Sequence, residues 1–343
     1  GTRLSDLRRQ GGHAEPYGVK LWGLGNEIFG DWQIGRKDLG DYIKAAVEFA
    51  KVMKWVDPSI QLVACGSGES GWDKPMLEAL VHYVDYISEH YYAEIDELKD
   101  YYEIMGSVAG MEALIRNAGR TAESVSAAAR KSPPVAVALD EWNIVYNLDD
   151  GHKRGGNHKD EFSYNLRDAL WVATALNTLQ RCCQTVRIAN LAQLVNVLAP
   201  IYTTAAGLLL RTIYFPLELY ANRSGKVALD VRVESPTFET RHFGPHAYLD
   251  ASATYHEAER RVTLAVVNRH KNADLVATLQ LDGGQAKGTR AYIITGARPD
   301  AQNTFENPDA VTTRQLNFGG SGSHRDYRFP KHSISWLEFE LEA

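Results

Sequence analysis

Short apolar runs at residues 19–24, 60–65, 84–88, 135–139 and 186–191 each end in polar residues, and longer stretches with apolar residues at three-and-four spacing lie between them. This alternation predicts β-strands joined by helices. The runs are short and apolar enough for five parallel strands buried on both faces. Between the first two, Leu39, Tyr42, Ile43, Ala46, Val47, Ala50 and Met53 mark a helix, with Asp38 as its N-cap and Asp57-Pro58 as its stop. Val108, Met111, Leu114 and Ile115 predict a second helix over 107–130, and Leu166, Leu170, Ala173 and Leu176 a third over 163–180. Both are expected outside the sheet.

Beyond about residue 222 the period shortens to two, at 261–268, 275–281, 291–295 and 333–341. In the last run Leu337, Phe339 and Leu341 are expected to face inward, and Glu338 and Glu340 outward. Turn-forming clusters at 282–284 and 319–322 separate the runs, as in a β-sandwich. The expected organisation is therefore a βα region over 1–221 and a β-sandwich over 222–343. The polar stretch 149–160 is expected to be a long loop after a strand.

Composition narrows the function. The 343 residues include 37 Lys and Arg against 43 Asp and Glu, a formal charge of -6 that offers no basic surface for a phosphate backbone. No apolar run is long enough to span a bilayer. Three cysteines, Cys65, Cys182 and Cys183, form neither a disulfide framework nor a paired metal motif, and are expected to be reduced core thiols. The chain starts at Gly1 with no signal-like stretch. That favours the cytoplasm, with the true N-terminus out of view.

Two carboxylates stand where apolar runs end, Glu27 after residues 19–24 and Glu141 after residues 135–139. The strand ends of a (β/α) barrel form its reactive face, which would aim both acids at a common centre. Alone, each is equally a solvated loop residue or an ion-pair partner. Together they match what glycoside hydrolysis needs: one acid protonated for the leaving oxygen, the other ionised to attack the anomeric carbon. His90 is either a core histidine or part of a site. Trp22, Trp32, Trp72 and Trp142 are sugar platforms or packing residues, and Trp32 is the one retained as a candidate. His152 and His158 lack ligand spacing and read as surface histidines. Neither metal nor cofactor is expected.

The segments 18–27 (GVKLWGLGNE), 88–92 (SEHYY), 139–143 (LDEWN) and 189–196 (ANLAQLVN), in this order, resemble glycoside hydrolase family 51, the α-L-arabinofuranosidases. The resemblance implies a (β/α)8 TIM barrel, of which this chain holds strands four to eight, followed by a C-terminal antiparallel β-sandwich. It implies Glu27 as general acid/base and Glu141 as nucleophile. Asn26 would bond the sugar's 2-hydroxyl, Tyr92 would hold the nucleophile's carboxylate, His90 would line the same wall, and Gln193 would contact the furanose hydroxyls. A retaining pair about 5–5.5 Å apart leaves no room for a water, so a covalent arabinosyl-enzyme is expected. The charge of Glu141 would keep Glu27 protonated until the ester forms, giving a bell-shaped pH profile.

A closed barrel needs three more strands than the five counted. The expectation is that an N-terminal chain or fragment completes it, and that the assembly is a homo-oligomer. The expected ligand is an arabinofuranosyl oligo- or polysaccharide, with nucleic acid and membrane excluded. Two alternatives stay open: a related barrel glycosidase, such as a β-xylosidase or endo-glucanase, and an inactive carbohydrate-binding fragment.

Overall fold

The computed structural model describes residues 1–146, 164–205, 207–318 and 322–342. The loop expected at 149–160, His152 and His158 lie outside the described residues, as do residues 319–321 of the second turn cluster. In chain order the first elements are α1 (Arg3–Gln10), β1 (Leu21–Gly23), α2 (Leu39–Val56), β2 (Gln61–Cys65), α3 (Ser70–Leu80) and β3 (Tyr86–Glu94). Then come α4 (Ile95–Leu98), α5 (Tyr101–Gly106), α6 (Val108–Ala128), β4 (Ala136–Val145), α7 (Leu166–Arg181) and β5 (Val186–Leu191). Two compact units result, residues 1–89 with 117–138, and residues 90–116 with 139–343.

In the first unit the strand order is β1-β2-β3-β4, with β1, β2 and β3 parallel. Helix α2 starts where its sequence dictates: the Asp38 carboxylate accepts from Asp41 N at 2.8 Å, satisfying an orphan donor of the first turn. Tyr42, Ala46 and Ala50 form its buried stripe. The Tyr42 hydroxyl accepts from Cys65 N at 2.7 Å, tying the helix to the end of β2. Beyond β2, Gly66 N donates to Ser88 O at 3.0 Å, and a Cβ at 66 would meet that carbonyl and lie 2.8 Å from Glu89 Oε1. Gly66→Ala is therefore expected to destabilise the chain by about 1–3 kcal/mol, because backbone and not a flexible side chain has to give way. A urea midpoint unchanged by this substitution would contradict the close approach.

Strand β1 departs from the expectation of a buried strand. Leu21 and Trp22 are each 45% exposed, because β1 is the last strand of the order and pairs with β2 alone among the described residues. Strands β3 and β4 run further than their apolar runs predict, to Glu94 and Val145. Ladder bonds are made by backbone, so polar residues do not end a strand when something else requires them there.

In the second unit β3, β4 and β5 are neighbours in that order. A hairpin of β6 (Ile201–Thr204) and β7 (Gly207–Leu210) and a helix α8 (Tyr214–Arg223) follow. The β-rich remainder comprises β8 (Val227–Leu229), β9 (Thr237–Thr240), β10 (Gly244–Ala247), β11 (Leu249–His256), β12 (Arg261–Asn268) and β13 (Leu275–Gln280). It ends with β14 (Ala286–Thr295), β15 (Thr312–Leu316), β16 (His324–Phe329) and β17 (Ser333–Leu341). A six-stranded sheet, β15-β14-β17-β12-β11-β8, faces the β13-β16 pair across an apolar core that includes Val262, Val266, Tyr327, Phe329, Leu337 and Phe339. This is the sandwich the period-two pattern predicts.

One expectation in β17 is overturned. Glu340 is half-buried, and Glu338 is buried to 1% because Arg223, Arg261 and Arg290 close on its carboxylate at 3.3, 2.9 and 3.1 Å. Cys65 and Cys182 are buried and Cys183 half-buried, none of the three in a disulfide. Among the described residues no helix is long and apolar enough to cross a membrane.

Candidate active site

The sequence-predicted site residues fall into two groups, one in each unit. In the first, the backbone after β1 is tied by Leu24 N donating to Val63 O at 2.8 Å, then turns sharply through Gly25, whose φ of +112° suits only glycine. Glu27 follows with a φ of +45°, a left-handed conformation that costs an ordinary residue about 1–2 kcal/mol. Such strain persists where the surroundings over-determine it. Here Gly30 N donates to Glu27 O at 2.8 Å, and the side chain is gripped from the same loop.

That grip comes from Trp32 Nε1, donating to Glu27 Oε2 at 2.5 Å, and from Gln33 Nε2 at 3.2 Å. Trp32, 55% exposed, thus spends its polar edge on the acid while its ring remains open to a sugar. Gln33 is a site residue that sequence reasoning missed; its one signal is its place beside Trp32 in the loop. Asn26 is exposed next to Glu27.

Glu89 and Asp73 were also missed, and in the same unit they form a buried carboxyl pair, 1% and 4% exposed. Burial pushes the Asp73 carboxyl above its ordinary value, against the lowering by hydrogen bonds from Ser67 N, at 2.8 Å, and with Glu89. A buried carboxylate has no periodic signature, so only the polar SEH interruption of β3 hints at it.

The second group is built on β3 and β4. Tyr92 donates its hydroxyl to Glu141 Oε1 at 2.6 Å. His90, 15% exposed, lies between two carboxylates, with Nδ1 3.6 Å from Glu141 Oε2 and Nε2 3.6 Å from Asp140 Oδ1. Glu141 is half-buried, with one oxygen held by a neutral donor and the other facing an imidazole that can carry charge. A carboxylate so oriented is poised as a nucleophile or an ion-pair partner. The Tyr91 hydroxyl turns instead to Ser107 O at 2.6 Å, and burial pushes it up to about 12. Gln193 is exposed on the loop after β5, its backbone N donating to Leu198 O at 3.3 Å.

A βα sheet with one carboxylate on a strand, Glu141 on β4, and another in a loop that follows a strand, Glu27 after β1, continued in the chain by an all-β module, fits the arrangement of barrel glycosidases. The α-L-arabinofuranosidase C-terminal domain family matches residues 140–333, and the α-L-arabinofuranosidase 1 domain family residues 1–108. The chain belongs to the α-L-arabinofuranosidase family, glycoside hydrolase family 51. It is 39% identical over 330 residues to the intracellular exo-α-(1→5)-L-arabinofuranosidase 1 of Bacillus subtilis, covering 92% of this chain and 63% of that protein. Identity to the intracellular exo-α-(1→5)-L-arabinofuranosidase of Streptomyces lividans is 35%, over 92% of this chain and 50% of that protein. The chain thus spans between half and about two thirds of the length of these curated relatives. The α-L-arabinofuranosidase of Thermotoga maritima, solved with arabinose, superposes with a TM-score of 0.87 at 34% identity, over 99% of this chain and 70% of that one.

Proposed function

We propose that this chain carries the catalytic pair of a retaining α-L-arabinofuranosidase that removes terminal arabinofuranosyl residues from oligo- or polysaccharides. The observation that carries the reading is the state of Glu141, a carboxylate oriented by Tyr92 and flanked by His90 on a strand of the βα sheet. Family membership supports it.

In the first half-reaction Glu27 gives its proton to the leaving glycosidic oxygen while Glu141 attacks the anomeric carbon, forming an arabinosyl ester and freeing the aglycone. In the second, Glu27 takes a proton from water, the hydroxide attacks the anomeric carbon, and the ester bond breaks to return the Glu141 carboxylate. Asn26 holds the 2-hydroxyl and Gln193 further furanose hydroxyls. The Tyr92 bond keeps one Glu141 oxygen from rotating away from the carbon. Tyr92→Phe is expected to lower kcat by about 10–100-fold, the worth of one hydrogen bond to a charged group. An unchanged kcat would remove Tyr92 from this role.

The same reading takes the sheet as strands four to eight of a (β/α)8 barrel, with a catalytic region over 1–221 and a sandwich over 222–343. Exposed Leu21 and Trp22 on β1, and Phe49, Val52 and Trp55 on α2, form the apolar surface that further barrel polypeptide would cover. An intracellular location, as in the names of the relatives, and a homo-oligomeric assembly belong to the same proposal.

The test is release of nitrophenol from an aryl α-L-arabinofuranoside beside the aryl β-D-xylopyranoside, on material checked by intact mass, with and without a polypeptide supplying the remaining barrel strands. Turnover of the furanoside alone supports the reading. Preference for the xyloside moves the chain to a related barrel glycosidase. Glycan binding without turnover in either preparation makes it an inactive binding protein. Activity of a folded monomer of this chain alone would sink the barrel-completing polypeptide.

A further inference from the structure

We propose that Asn143 is a positioning residue that holds the 192–198 loop, and with it Gln193, in its sugar-binding geometry; the sugar-binding part rests on the function proposed above. Asn143 lies on β4 two residues beyond Glu141 and is fully buried. Its Nδ2 donates to Ala192 O and to Leu198 O, both at 2.6 Å, while its Oδ1 accepts from Ile144 N at 2.8 Å. Both amide protons are spent, one at each end of the loop. The opposite amide orientation would set Oδ1 against two carbonyl oxygens, so the assignment is fixed by the partners.

Polar contacts fix the rest of the loop: Asn196 N donates to Ile201 O at 2.8 Å, and Thr203 N and Oγ1 donate to Asn196 Oδ1 at 2.8 and 2.9 Å. Leu194, Val195 and Val197 are 66%, 45% and 40% exposed, so apolar burial does not anchor it. Asn196 and Leu198 have φ of 70° and 51°, conformations that cost non-glycine residues about 1–2 kcal/mol each. A loop with exposed apolar side chains and two left-handed residues relaxes unless polar clamps hold it. Asn143 is the clamp at its base. Arg211 is the second, donating to Asn196 O at 3.2 Å and Ala199 O at 3.3 Å. The loop closes on itself through Gln193 N to Leu198 O at 3.3 Å and on β4 through Ala192 N to Trp142 O at 3.1 Å. One buried side chain thus links the strand of the proposed nucleophile to the loop of the proposed sugar ligand.

The test combines amide hydrogen exchange with kinetics on the unaltered protein, Asn143→Asp, Asn143→Ala, Gln193→Ala and the corresponding double variants. In the unaltered protein the amides of Ala192, Gln193 and Asn196 are expected to be protected; exchange at open-loop rates overturns the proposal before any variant is made. In Asn143→Asp, which swaps the donor for an oxygen of equal size, exchange over 192–198 is expected to rise at least about tenfold, with β12 unchanged. KM should rise by about tenfold, and by less than twofold when Gln193 is already alanine, because the two changes remove one interaction. Unchanged exchange, or additive kinetic effects, overturns the proposal. If neither Asn143 variant folds, the exchange rates of the unaltered protein decide. Absence of turnover in the unaltered protein sinks the activity reading alone, and exchange still judges the clamp.

Discussion

Replacing Glu141 with alanine is expected to lower turnover of an aryl α-L-arabinofuranoside by about 10³–10⁵-fold, an added barrier of about 4–7 kcal/mol. On the proposed assignment the substitution deletes the atom that forms the glycosyl ester, and neither neighbour supplies another carboxylate: Tyr92 presents a neutral hydroxyl and His90 an imidazole. Oriented binding and protonation by Glu27 survive, which is why the loss stops short of the whole rate enhancement. Added azide should restore part of the rate by attacking from the vacated side, giving an arabinosyl azide of inverted configuration. In Glu27→Ala the ester still forms with a good leaving group, so azide intercepts it and gives retained configuration. The product's stereochemistry therefore separates nucleophile from acid/base, whatever the absolute rates. Retained azide product from Glu141→Ala, or near-normal turnover without azide, would falsify the assignment.

The two candidate acids stand out in the sequence because each follows an apolar run; the structure puts Glu141 inside β4 and Glu27 in the loop after β1. Tyr92 and His90 came from the family resemblance, and in the structure both flank Glu141. What was not legible has a common physical cause: it depends on partners far along the chain. Gln33 reaches Glu27 only because the loop doubles back. The Asp73–Glu89 pair forms only when α3 and β3 come together, and α3 itself is obscured by Pro75, a helix-interior proline that removes a backbone donor. The exposed β1 reflects what lies beside it in the sheet, which an apolar pattern cannot state. Helix α1 has only Leu4 and Leu7 at helical spacing, both exposed; its capping box at Thr2 and Ser5 is the local signal, and none of its residues is buried.

Glu338 shows the same limit in the sandwich and gives the second large effect. Period-two alternation put it on the solvent face, and alternation is blind to three arginines arriving from α8, β12 and β14. Arg261 is 7% exposed, and its Nη1 is 2.9 Å from Glu338 Oε1. Arg223 stacks over the Tyr292 ring at 4.0 Å while reaching the same oxygen, and Trp336 Nε1 donates to it at 3.3 Å. Removing the carboxylate takes from Arg261 its buried partner and leaves it only the half-exposed Glu259, at 2.8 Å from its Nε; breaking a buried pair from one side costs up to about 3–5 kcal/mol. Glu338→Ala is therefore expected to lower stability by that amount. Glu338→Gln, which keeps acceptors but not the charge, should lose about 1–3 kcal/mol. Arg290, 46% exposed at the rim, is screened by water, and Arg290→Ala should cost under about 1 kcal/mol. The graded order is the diagnostic, read from urea midpoints with circular dichroism as probe. If Glu338→Ala loses no more than Arg290→Ala, the cluster is a solvated surface network and its burial contributes nothing to holding α8 against the sheet.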